Sequence, residues 1–463
     1  MRPSLTALLL ALAALLLPAP VQAQDGCGCG DGCDDGCSVI EESDEEDEKA
    51  PNLSGLSEKK KGGTRDDVDA PKVKQTLQQQ INAAIKRGVK WLKKKQQKNG
   101  SWGQCHAPRS YGGGEGGDCY WSGPTSFSLY TLAKCDVPKK APVVKKGLQW
   151  LRDKYRHSQV WNGGGSTSGK QSMVTYECSS LIMMLEATYQ RSAKLTGKHK
   201  KRKLETSNPA RPPRKSKIPK DEWQWMHQSI VFLTKGRAAA RNKRGAGVPG
   251  FKGCQNPSGL WRYGQANPQQ QDASATQFVL LGLRAASQAG YPVKPEIWLK
   301  ALGKSGNDGV RKFQAGPGFA YQPGQQANDG MTAANLASMI ICREQLQLTK
   351  TPVPSWVDSA IENGLKHFDT LFDAQKNGGK HHGGGYHYYY LYTVERLGDM
   401  LKRKEFNGKD WYVRGARLLL ANQTQEGSFP DSTCMNPKDT LGTCFALLFL
   451  KRATPAVVTG ARD

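Results

Sequence analysis

The feature that most constrains the fold is a unit recurring along most of the chain: an amphipathic helix, a loop of glycine and an aromatic residue, then a helix apolar nearly all round. In the first copy Ile81, Ala84, Ile85, Gly88, Val89 and Leu92 form one stripe, with Lys86, Arg87, Lys90, Lys93 and Lys94 off it. Apolar positions three and four apart, with cations opposite, describe a half-exposed outer helix. Its partner over 125–135 carries Phe127, Leu129, Tyr130 and Leu132 with no charge before Lys134, and is expected to be buried on most sides. The alternation predicts further outer helices near 143–154, 221–235, 295–303, 355–372 and 410–423. Inner helices are predicted near 173–190, 273–288, 330–345, 387–402 and 439–451. Such units cannot bury an apolar face alone and must cover one another. Residues 76–455 therefore make one domain if the stack closes on itself. The fourth outer helix is the least regular, because Gly303, Gly306 and Gly309 interrupt it.

The outer helix and its loop share a sixteen-position pattern. Arg87-Gly88, Trp91-Leu92, Gln96 and Gly100-Ser101-Trp102 form one full copy. Arg414-Gly415, Leu418-Leu419, Gln423 and Gly427-Ser428-Phe429 repeat it at the same spacing. Partial copies are Lys146-Gly147 with Trp150-Leu151, Asn363-Gly364 with His367-Phe368, and the loop halves Gly259-Leu260-Trp261, Gly318-Phe319 and Gly385-Tyr386. A glycine in the outer helix lets a neighbour approach closely, at a propensity cost of up to ~1 kcal/mol. Glutamine can satisfy backbone groups at helix ends while the aromatic ring packs over it. The pattern resembles the Gln-Trp repeat of triterpene cyclases, and over 76–452 the chain is similar to the terpenoid-cyclase and protein-prenyltransferase superfamily. That resemblance implies an all-α fold, the α/α toroid, with six inner helices ringed by six outer ones and a central cavity opening at one end.

The first residues read as a secretory signal over 1–23. Arg2 supplies the positive start, Leu8 to Leu17 a short apolar run, and Val21-Gln22-Ala23 the cleavage site. No lipobox precedes Cys27. Beyond the signal no stretch reaches the ~18 apolar residues of a membrane span. An exported protein is expected, periplasmic, cell-envelope or secreted. Residues 24–75 hold seven Lys or Arg against fifteen Asp or Glu and few apolar residues, a composition expected to be disordered. With the whole chain at +25, the remainder is strongly basic. Basic residues crowd a predicted surface loop at 194–220, from Lys198-His199-Lys200-Lys201-Arg202-Lys203 to Lys217. An anionic polymer or envelope component is the implied partner, against the alternative of a merely solvated surface. Nucleic acid is not expected, because no aromatic residues interleave the charges.

Of twelve cysteines, Cys27, Cys29, Cys33 and Cys37 crowd behind the signal, where disulfides are favoured over a metal site. Cys105 and Cys119 flank a Gly-rich loop and are a candidate disulfide. Cys135, Cys178, Cys342 and Cys444 fall in helical apolar patterns and read as buried packing.

The reaction boxes of the resembled families are missing. The Asp-x-Asp-Asp box of alkene-protonating cyclases is not found, and Asp66-Asp67-Val68-Asp69 has another order. The prenyltransferase zinc ligands have only loose counterparts in Glu177-Cys178, Asp439 with Cys444, and His387. No cofactor is expected, zinc being the one alternative. The remaining cavity candidates are Glu177, Asp272, Asp329, His387 and Asp439 at inner-helix starts. Helix capping is the plainer role for the Asp residues, and a ring of carboxylates at the cavity mouth the functional one. Tyr176, Tyr388 and Tyr392 are candidate cavity-lining rings, the last two sharing a helix face at spacing four, able to hold an apolar or isoprenoid ligand. The expected function is a ligand- or envelope-partner-binding toroid of unassigned activity. The alternative is an enzyme using the cavity, of terpenoid-cyclase or transferase type or a lyase on an acidic polysaccharide.

Overall fold

Among the described residues the alternation of half-apolar and wholly apolar segments becomes twelve α-helices. The computed structural model describes residues 75–103, 105–106, 118–120, 122–157, 174–189, 209–213, 216–237, 240–241, 247–248, 251–252, 254–263, 270–303, 308–377, 386–431 and 438–452. The predicted signal, the acidic stretch with its four cysteines, and most of the basic loop lie outside these residues.

The odd-numbered helices are α1 (Leu77–Lys94), α3 (Pro142–His157), α5 (Lys220–Leu233), α7 (Pro295–Leu302), α9 (Trp356–Leu371) and α11 (Trp411–Asn422). The even-numbered ones are α2 (Gly123–Lys134), α4 (Val174–Tyr189), α6 (Ala273–Gln288), α8 (Asp329–Leu348), α10 (His387–Leu401) and α12 (Lys438–Lys451). The two sets differ in burial as the sequence implies. On α1 only Ile81, Ala84, Gly88, Trp91 and Leu92 are buried, whereas every residue of α2 from Gly123 to Ala133 is. Its capping box starts α1: Thr76 Oγ1 accepts from the Gln79 amide at 3.3 Å, and Gln79 Oε1 accepts from the Thr76 amide at 2.8 Å. The interrupted fourth outer helix, α7, is eight residues long. It ends at Gly303, whose φ of 93° admits no side chain without strain.

Each even helix packs on the next, and α12 packs back on α2, so six inner helices close a ring with the odd helices against its outside. This is an α/α toroid. No described helix is long and apolar enough to cross a membrane.

The repeat motif makes the seams between successive outer helices. Gln96 Nε2 donates to Gly100 O in its own loop and to Val143 O on α3, both at 2.9 Å. Gln255 donates to Gly259 O at 2.9 Å and to Ile297 O on α7 at 3.4 Å. Gln423 donates to Gly427 O at 3.0 Å and to Ala84 O on α1 at 2.9 Å, which joins the last pair to the first. Arg87 Nη2 adds a bond to Gln423 Oε1 across the same seam. The loop aromatics anchor inward: the backbone amides of Trp102, Trp261, Phe319 and Phe429 donate to Thr125, Thr276, Thr332 and Thr443 within the first two turns of α2, α6, α8 and α12. The loop glycine lies flat on the next outer helix. At Gly427, with φ 103°, an added Cβ would sit 2.6 Å from Arg87 O.

Gly427→Ala is therefore expected to combine left-handed strain with a backbone clash and to cost ~3 kcal/mol or more. Gly316→Ala, at φ 62° with nothing within 4 Å of the added carbon, is expected to cost only about 1–2 kcal/mol. Denaturant unfolding of the two variants measures the difference.

Candidate functional site

The ring axis is where a toroid would hold a ligand, and here side chains occupy it. Phe127 of α2, Phe278 of α6, Tyr389 and Tyr392 of α10, and Phe445 of α12 form one aromatic cluster. Phe127 meets Phe445 at 5.1 Å, Phe278 at 6.1 Å and Tyr392 at 6.3 Å between ring centres. Tyr392 and Tyr389 meet Phe445 at 5.2 and 5.7 Å. These are ordinary aromatic packing distances, and they bridge helices that are not neighbours on the ring. The open central cavity implied by the family resemblance is thus replaced at this level by five rings.

Tyr392 lies in the cluster, but Tyr388 does not. Tyr388 reaches Asn422 on outer helix α11, and burial pushes its hydroxyl up to about 12. The residue sharing the axial face is Tyr389, one step of three from Tyr392. Spacing alone identifies faces without saying which of them points inward. Under the cluster Arg396, almost wholly buried, lies 4.1 Å from the Tyr392 ring centre. Its Nη2 donates to Tyr130 Oη at 3.3 Å and its Nε is 3.6 Å from Glu395. Burial opposes this charge, yet Tyr130, Tyr392 and Glu395 outweigh it, and the guanidinium is held more firmly protonated than usual.

Above the cluster, at the inner-helix starts, stands a polar group around Asp272. This residue is fully buried and is the N-cap of α6, its Oδ1 accepting from the Ala275 amide at 2.7 Å and Ser274 Oγ at 3.0 Å. Its Oδ2 has no hydrogen-bond partner among the described residues. Burial raises its carboxyl to about 6, against the pull of those two bonds and of Arg262. Tyr176 and Ser274 share a hydrogen bond of 2.6 Å, Tyr176 leans on Phe278 at 5.0 Å, and Tyr263 hydrogen-bonds Tyr321. Tyr389 donates to Gln277 Oε1 at 2.7 Å, linking this group to the axial rings. A buried carboxyl that is half protonated near pH 6, among hydroxyls, is suited to move a proton.

The other candidates scatter. Glu177, buried in the first turn of α4, accepts from the Ser122 amide at 3.3 Å and ties α4 to α2. Asp329 is buried at the start of α8, but the cap is Asn328, whose Oδ1 accepts from Met331 at 2.8 Å. The capping expected of Asp329 falls to its neighbour because the helix begins one residue earlier. Asp439 is exposed on α12, while Cys444 is fully buried. His387 Nε2 donates to Ala374 O at 2.9 Å, and burial holds the ring below the usual histidine range. The zinc counterparts are therefore not brought together. Among the described residues no cluster of three or more His, Cys, Asp or Glu fits a metal ion. The strand Cys105–His106 pairs with Asp118–Tyr120, but the Cys105 and Cys119 side chains lie outside the described residues. Cys178, Cys342 and Cys444 are buried free thiols, and Cys135 a half-buried one.

Gln255 was in view at the motif spacing, four residues before Gly259. Arg396 and Tyr389 carried no comparable signal, since a charge near the end of an inner helix looks like an exposed terminus.

Residues 69–188 match the family model of the squalene-hopene cyclase C-terminal domain. No curated protein matches the chain. Among solved structures, the type II terpene cyclase MstE from Scytonema, in complex with geranylgeranyl dihydroxybenzoate, is similar at 11% identity and TM-score 0.49, over 81% of this chain and 98% of that one. A possible member of the GH105 family from Salmonella enterica is similar at 12% identity and TM-score 0.45, over 83% of this chain and 96% of that one.

The Asp272 carboxyl titrates higher in the fold than the ~3.9 of an unfolded chain. Its protonated form therefore adds stability that is full below about pH 4 and lost as pH rises through about 6. Asp272→Asn keeps a capping oxygen without the titration. Its stability relative to the parent is expected to rise by about 2–3 kcal/mol from pH 4 to 7, measured by denaturant unfolding across that range.

Proposed function

From the match of residues 69–188 to the squalene-hopene cyclase C-terminal domain and the toroid described above, we propose that this chain is a binding toroid that holds an anionic polymer of the cell envelope on its outer surface. The observation that carries this reading is the face made by α1 and α3. No Asp or Glu occurs in α1, which exposes Lys86, Arg87, Lys90, Lys93 and Lys94. The Gln96 seam sets α3 beside it, exposing Lys145 and Lys146, and Lys139 and Lys140 precede that helix on the surface. Like charges kept together favour a polyanion, whose binding gains from each added contact; the exposed carboxylates nearby, Asp136 and Asp153, are outnumbered by the cations. Export is part of the reading and rests on Arg2, the Leu8 to Leu17 run and Ala23.

The filled axis supports binding over cyclisation. A cyclase must fold a long apolar substrate inside a cavity of matching size, and five aromatic rings stand in that position here. A second reading, acid chemistry at the ring mouth on an acidic polysaccharide, is favoured by Asp272 alone, whose buried carboxyl has an oxygen without a partner among the described residues and is close enough to Tyr321 and Tyr389 to act on them electrostatically.

Retention on immobilised polygalacturonate is expected to be strong at low salt and lost at high salt. Replacing Lys90, Lys93 and Lys145 together by Glu is expected to lower the salt needed for elution. Retention unaffected by salt, or equal on neutral dextran, contradicts the proposal.

A further inference from the structure

Three seams between outer helices are closed by the same device, a glutamine amide that bridges the carbonyl of its loop glycine and a carbonyl of the next outer helix. The seam between α7 and α9 has the residues for a fourth. Gln314 stands four positions before Gly318, and Ala360 stands four before the helix glycine Gly364, as Val143 does before Gly147 and Ala84 before Gly88. The bridge is not made. Gln314 is exposed and donates instead to Gly316 O, at 3.3 Å within its own turn. The strands Gln314–Ala315 and Gly318–Phe319 form a small hairpin in place of the flat glycine loop. Gly318 does not share the positive φ of Gly100, Gly259 and Gly427.

The seam left open is a groove of about 350 Å³, lined by Arg311, Gln314, Phe319, Trp356, Asn363 and Ala360. Arg311 stacks on Trp356, its guanidinium carbon 4.9 Å from the ring centre. Among the described residues Arg311 has no carboxylate partner, and both Arg311 Nε and Trp356 Nε1 are shielded from solvent with no acceptor. Two N–H donors without acceptors are costly to bury. Around them Asn363 and Gln314 offer amides at the rim, over a floor containing Phe319 and Ala360.

We infer that this seam is a ligand site for a sugar-sized molecule bearing a carboxylate, such as a uronate. Arg311, held flat on the Trp356 ring, would meet the carboxylate with the terminal nitrogens of its guanidinium, while the rim amides meet hydroxyls. A guanidinium paired with a carboxylate gives the stronger, charge-assisted kind of hydrogen bond. The volume exceeds what a bare oxyanion fills, since a water molecule takes ~30 Å³. The inference stands apart from the polymer-binding face, because none of these residues lies on α1 or α3.

Isothermal titration calorimetry of the full chain tests it, with D-galacturonate, D-galactose and inorganic sulfate as probes. Saturable binding of galacturonate, little of galactose and weaker binding of sulfate are expected. Arg311→Gln is expected to weaken galacturonate about tenfold or more, and Trp356→Ala, which removes the ring on which Arg311 stacks, several-fold. Both variants are to be checked for an unchanged melting temperature and unchanged retention on polygalacturonate, which separates loss of the groove from loss of the fold or of the outer face. Galactose binding as tightly as galacturonate, sulfate matching galacturonate, folded Arg311→Gln binding like the parent, or no binding to the parent overturns the proposal.

Discussion

Among the described residues, three seams of the outer ring are held by a side-chain amide that spans the gap between two helices. An outer helix is only half apolar, so it packs inward on the ring but has little to hold it to the next outer helix. Glutamine supplies that hold by donating both amide hydrogens, one to its own loop and one across the seam. Each such bond contributes only about 0.5–1.5 kcal/mol net, but a buried carbonyl left without a donor costs more. The repetition explains why the first and last copies are the fullest. Gln423, Arg87 and Ala84 make the closing seam, where residues more than three hundred positions apart meet. The device also explains its own exception, since where Gln314 turns away the seam becomes a groove.

A ring of six inner helices poses a second problem, which is what to put in the middle. Helices apolar all round can surround a ligand or pack against one another's side chains. Here Phe127, Phe278, Tyr389, Tyr392 and Phe445 meet across the axis, and Arg396 sits beneath them with its charge met by Tyr130 and Glu395. Filling the axis adds apolar burial to stability. What remains for a partner is the mouth around Asp272, the lysine face of α1 and α3, and the open seam at Arg311.

Most of the architecture was legible in the chain because burial leaves a period in it. Helices apolar on one stripe became outer and those apolar all round became inner, and glycines at 303 and 309 shortened the fourth outer helix as their spacing implied. Rotation about a helix axis was less legible. The tyrosine run beginning α10 fixed the faces, but only packing against Phe445 and Phe278 made Tyr389 the axial residue and turned Tyr388 to Asn422. Capping at Asp329 failed by one residue, since Asn328 offers an equivalent oxygen. The unmade bridge at Gln314 leaves no trace in spacing, because the residue types are those of the seams that close.

The central claim is that the barrel interior belongs to the protein's own side chains. Native mass spectrometry of the purified protein, followed by denaturing extraction and identification of anything released, addresses it directly. The account expects the mass of the chain alone and no stoichiometric apolar compound in the extract. An isoprenoid or other lipid released at one per chain would contradict it, because that molecule would have to occupy the space where Phe127, Tyr392 and Phe445 meet.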